Sequence, residues 1–198
     1  MRIKSQWFKD GKAKTAEQSA SVVAFITWRL AQNAVKQMRA AQFDIDPGPQ
    51  YFAFLEEFLV FLIQVADRIA YGQLAGTYRA EFTAALVIRV AEILEENQDA
   101  LLGSPAERSY KSQFIALFNE LSNDYATMGY TEAGPDFAFL RILGYRVMHI
   151  MIKKDQTWVI DQIMAIEAPQ AVADIKKGMQ GLFDSTPRPE RRERISGE

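Results

Sequence analysis

The chain has 198 residues, with no cysteine and a single histidine, His149. Without a thiol there can be no disulfide, no cysteine nucleophile, no iron–sulfur cluster and no cysteine-held zinc. One histidine is too few for a histidine-rich metal centre or for the paired Glu-x-x-His signature of di-iron bundles. A basic excess is missing too: 23 Lys and Arg stand against 25 Asp and Glu, for a formal net charge of −2. A dedicated nucleic-acid binder carries the opposite imbalance. The one basic run, Arg188 to Arg194, is broken by Glu190 and Glu193, so its field is weak. No nucleic-acid partner is therefore expected.

Long hydrophobic runs free of charge are also lacking. The most apolar stretch, Tyr51 to Tyr71, contains Glu56, Glu57, Gln64, Asp67 and Arg68, and adjacent carboxylates are costly in lipid. It reads as a buried helix, and no membrane span is expected. The first residues, Met1 to Phe8, carry positive charge with no apolar run behind them, which does not fit a signal peptide. A cytoplasmic protein is the expectation. Gly-x-Gly-x-x-Gly, the phosphate-binding loop, the Gly-x-Ser-x-Gly elbow and Asp-Asp-x-x-Asp are all absent from the sequence, so no motif assigns a reaction. No cofactor and no metal are expected. A carboxylate set drawn from Glu56, Glu57, Asp67 and Glu167 would suit a hard cation, but salt bridges with Arg68, Arg141 and Arg146 are the competing fate.

Strand patterns are scarce; helix patterns are not. The chain is 48% hydrophobic and 24% charged, ordinary values for a folded core. The expected fold is all-α, a single-domain bundle of six or seven helices over residues 1–184, followed by a polar tail over 185–198. Thr15 to Gln18 reads as a capping box, opening a helix that must stop before Asp46-Pro47-Gly48-Pro49. A second helix runs from Gln50 to Tyr71 and is apolar on nearly all sides, which places it at the centre of the bundle. A third spans Thr77 to Ala100. Ser104-Pro105-Ala106-Glu107 reads as the start of a fourth, which ends near Gly129. A loop over Thr131–Pro135 leads to a fifth helix, from Asp136 to Lys154. Asp155 then caps a sixth that ends before Pro169, and a short seventh reaches Phe183. The tail, rich in Pro, Arg and Glu, can be held only by something outside itself, such as a neighbouring subunit.

Pro49-Gln50-Tyr51-Phe52-Ala53-Phe54-Leu55 resembles Pro135-Asp136-Phe137-Ala138-Phe139-Leu140, each preceded by Gly. Either the chain is built from two pseudo-repeated three-helix units, or two core helices each happen to begin after Gly-Pro. A duplication would bring Glu56 towards Arg141. With Arg146 and His149, these are the candidate catalytic or binding residues. His149 has Arg146 three positions earlier, where a nearby positive charge would lower its proton affinity. The ordinary alternative for all four is structural pairing or exposure to water. The aromatics of the second helix are core in one reading. In another they line a pocket for an apolar small molecule, and in a third they form a homodimer interface. Two function classes follow. The first is a protein acting through protein–protein contacts or homodimerisation. The second is a small enzyme or carrier with a central apolar pocket edged by the four candidates.

Overall fold

Thr15 does at the first helix what its position demands. Its hydroxyl oxygen accepts from the Gln18 backbone N–H at 3.2 Å, and the Gln18 side chain accepts from the Thr15 N–H at 3.1 Å. In the computed structural model, residues 14–180, 182 and 183 are described. The polar tail, and whatever holds it, lies outside them. α1 (Ala16–Ala40), α2 (Pro49–Tyr71), α3 (Gly76–Leu102), α4 (Tyr110–Ala126), α5 (Phe137–Ile150), α6 (Lys153–Gln162) and α7 (Ala168–Met179) form an all-α bundle. A π turn, Ile163–Glu167, joins α6 to α7 without a break. The loop expected before α5 holds a two-residue ladder, β1 (Tyr130–Thr131) against β2 (Gly134–Pro135), with Tyr130 opposite Pro135.

α2 is the central helix, covered by α1, α3, α4, α5 and α7. Its rings continue into neighbouring helices: Phe58 meets Phe61 edge-on, Phe61 meets Phe139 of α5 at 5.8 Å, and Phe139 meets Tyr125 of α4 at 4.7 Å. Burial of so many large apolar side chains is the main drive for folding, at about 1.5–3 kcal/mol for each fully buried one. Because α2 is covered within the chain, its apolar circumference gives no reason to expect a subunit partner. α5, the other aromatic-rich helix, is only half inside. Phe139, Leu143 and Val147 are buried, while Phe137 and Tyr145 are exposed.

Several boundaries differ from the sequence reading. α1 ends at Ala40, six residues before Asp46, because Gln42 adopts a left-handed φ of 69°. Phe43 N–H then reaches back to Met38 O at 3.1 Å, closing the helix as a Schellman turn. Ser104 does not start α4. Residues 103–109 have almost no buried face, so nothing stabilises a turn there, and Ser109 caps instead, its side chain accepting from Ser112 N–H. Asp155 does not cap α6; its Oδ2 accepts from the Asp44 backbone N–H at 2.8 Å and ties the α1–α2 loop to α6. Pro169 does not end the last helix. Its ring would clash with the carbonyl four residues back. The π turn just before it makes room, with Ala168 N–H bonding five residues back to Ile163 O.

Candidate functional site: a polar-ended groove between α2, α3 and α4

The four residues singled out by sequence do not converge. Arg146 of α5 makes two bonds to the Glu57 carboxylate, at 2.6 and 2.7 Å. The carboxylate is that of Glu57, the neighbour of the expected Glu56. Glu57 is 8% exposed, and Arg146 is held charged chiefly by its hydrogen bonds to Glu57. The nearby Tyr125 hydroxyl is pushed far above its ordinary value, by burial first and by the Glu57 charge second. Glu56 turns the other way and accepts from Gln98 of α3 at 3.0 Å. Its pKa is raised, first by burial, with Glu57 adding to it. Arg141 and His149 lie exposed on the outer side of α5, and the His149 ring meets Tyr145 edge-on at 4.7 Å. The pairing of Glu56 with Arg141 is therefore replaced by Glu57 with Arg146. The carboxylates weighed as a cation set are likewise dispersed, Glu56 to α3, Glu57 to α5, Asp67 to Arg79 and Glu167 to the π turn. No group of three or more Asp, Glu, His or Cys suited to a metal occurs among the described residues.

Convergence occurs elsewhere. The first half of α3 and the second half of α4 stand over the last turns of α2, enclosing a groove of about 660 Å³. Antiparallel neighbours must meet this way, the start of one beside the end of the other. The groove's polar end is built by α2. Asp67 accepts from Arg79 Nε at 3.0 Å and, through its second oxygen, from the other arm of the same guanidinium. Thr83, one turn along α3, donates to Asp67 at 2.6 Å. The Arg79 guanidinium also lies over the Tyr71 ring, 4.9 Å from its centre. Arg68 donates to Tyr125 O at 2.9 Å, where the end of α4 presents carbonyls that favour a cation. Gln64 donates to Ser122 Oγ at 2.8 Å, and Ser122 donates on to Phe118 O at 2.6 Å.

Farther along, the walls are Val87 and Ile88 of α3 with Ile115 and Phe118 of α4. One end is thus charged and hydrogen-bonding, and the other aliphatic and aromatic. Two guanidinium groups against one carboxylate leave the polar end with one net positive charge. Of these residues the sequence reading had noted Gln64, Asp67 and Arg68 as polar interruptions of an apolar helix. Arg79 and Thr83 belong to no motif; the signal available for them is their four-residue spacing, which sets both on one face of α3. No family model, no curated protein and no solved structure matches this chain.

Proposed function

We propose that the protein binds a small amphiphilic anion in the groove between α2, α3 and α4, as a carrier or sensor. The observation that carries this reading is the groove's division into a cationic, hydrogen-bonding end and an apolar end within one space of about 660 Å³. That volume falls inside the range of about 300–1,000 Å³ typical of small-molecule sites, which pair apolar walls with a few placed polar groups. A carboxylate or similar head suits Arg68 and Arg79, and a hydrocarbon body suits Val87, Ile88, Ile115 and Phe118. Binding is favoured over catalysis because both hydroxyls that line the groove already donate their protons, Thr83 to Asp67 and Ser122 to Phe118 O. A cytoplasmic setting agrees with the lack of cysteine. Native mass spectrometry of the purified protein tests the reading: a retained or added medium-chain carboxylate should be carried one to one. Ala84, exposed in the groove wall, offers a block, and an Ala84→Trp variant that still carries the carboxylate would overturn it.

A second reading, contact with another protein copy, is favoured by the outer stripe of α5. Phe137, Arg141, Tyr145 and His149 recur every four residues, with Phe137 68% and Tyr145 53% exposed. Arg and Tyr are the residue types that dominate interface energetics. A homodimer built there, instead of on α2, would sediment as a dimer at micromolar concentration and revert to a monomer in Tyr145→Asp.

A further inference from the structure

The middle of the groove between α2, α3 and α4 carries hydrogen-bonding groups that an anionic head and a hydrocarbon body leave unused. Gln64 of α2 lines it from below and is only 7% exposed. Ser122 donates its own proton to Phe118 O, so its oxygen can only accept from Gln64. That fixes the Gln64 amide, with Nε2 on Ser122 and Oε1 turned away. Oε1 accepts from no described residue, although polar atoms of residues this buried are nearly always paired. Asn119 of α4 lines the same groove at its exposed rim, and its side-chain amide bonds to no described residue. Asn119 and Ser122 are three positions apart and share one face of α4. Arg68 stands one turn beyond Gln64, about 6 Å along α2. Val87 and Phe118 lie a turn the other way, on α3 and α4. The groove therefore has three zones in order: cationic, amide-lined and apolar.

We propose that the ligand of this groove is an N-acyl amino acid, its amide held between Gln64 and Asn119. The proposal rests on the amphiphilic-anion reading above and narrows it to one chemical class. The carboxylate lies at Arg68 and Arg79, where its single charge neutralises the one net positive charge of the polar end. The acyl chain runs along Val87, Ile88, Ile115 and Phe118. Between them the ligand's amide N–H donates to Gln64 Oε1, and its carbonyl accepts from Asn119 Nδ2. The N–H and C=O of a trans amide point in opposite directions, as the groove's floor and rim require. A hydroxyl on a fatty acid has one oxygen for both walls and suits them less well. One carbon separates carboxylate from amide in such a ligand, in keeping with the single turn between Arg68 and Gln64.

Isothermal titration of the full chain with N-decanoylglycine and with tridecanoate, a fatty acid of equal chain length, tests the assignment. The acylglycine should bind one to one and at least about ten-fold tighter, through two added hydrogen bonds. N-Decanoylsarcosine, whose amide nitrogen carries a methyl group in place of the hydrogen, should lose most of that gain. Asn119→Ala, at an exposed helix position that alanine suits, should weaken the acylglycine about five-fold and leave tridecanoate unchanged. Equal affinity for acylglycine and fatty acid would overturn the amide assignment and leave the amphiphilic-anion reading standing. So would full affinity for the sarcosine derivative, or an equal loss of both ligands in Asn119→Ala. Binding of neither the acylglycine nor tridecanoate would overturn both.

Discussion

At the scale of single residues, the charges on α2 are the informative positions, and each has a specific partner. Arg146→Ala strips Glu57 of its partner and leaves a carboxylate buried without a counter-charge. Breaking a buried pair costs about 3–5 kcal/mol, but Arg146 is itself 33% exposed and water can reach the gap. The expected loss is therefore about 2–3 kcal/mol, read from urea denaturation. Glu56 presents the opposite case. Burial raises its folded pKa above the ordinary 4.5, so its contribution to stability is complete below pH 4.5 and is lost as pH rises through the folded value. Glu56→Gln cannot ionise and escapes that loss. It also brings an amide donor near Gln98 Oε1, a buried acceptor that now has no partner. The variant is expected to be more stable than the wild type at pH 7 by about 1 kcal/mol, with the gap closing below pH 4.5. A gap independent of pH would show that ionisation of Glu56 is not its cause.

At the scale of elements, the sequence announced helices far better than it announced their ends. The capping box at Thr15 and the apolar circumference of α2 are both direct consequences of residue pattern, and both are found. The end of α1 is not legible, because the left-handed position falls on Gln42, where glycine is the usual sign. The passage through Pro169 was equally hidden: a π turn has no residue signature, and the proline rule by itself stops the helix. For the site, the adjacency of Glu56 and Glu57 was the obstacle. Neighbours on a helix diverge by about 100°, so which one meets α5 depends on packing alone. Arg146 was in view as a candidate, but its partner was not. Packing also explains Gly144, whose added Cβ would lie 3.3 Å from Ile160 and Met164 atoms. α5 approaches α6 and the π turn closely there. Gly144→Ala gains helix propensity of about 1 kcal/mol against a tight contact and should be near neutral. Gly144→Leu should destabilise by about 1–3 kcal/mol through overpacking, measured by thermal unfolding.

At the scale of the whole molecule, the bundle separates what is sealed from what is open. The α2 core is closed within the chain, so the aromatic richness that suggested a partner is accounted for by folding. Open features sit at the periphery: the polar-ended groove at one junction of three helices, and the exposed stripe of α5. The central claim is that the groove takes an amphiphile by its anionic head and its apolar body together. Calorimetric titration with decanoate, decanol and decyltrimethylammonium measures this directly. Decanoate should bind one to one, decanol more weakly by about ten-fold or more and the cationic analogue not at all, with binding lost in Ala84→Trp. Equal affinity for all three, or decanoate binding unchanged in Ala84→Trp, would contradict the account.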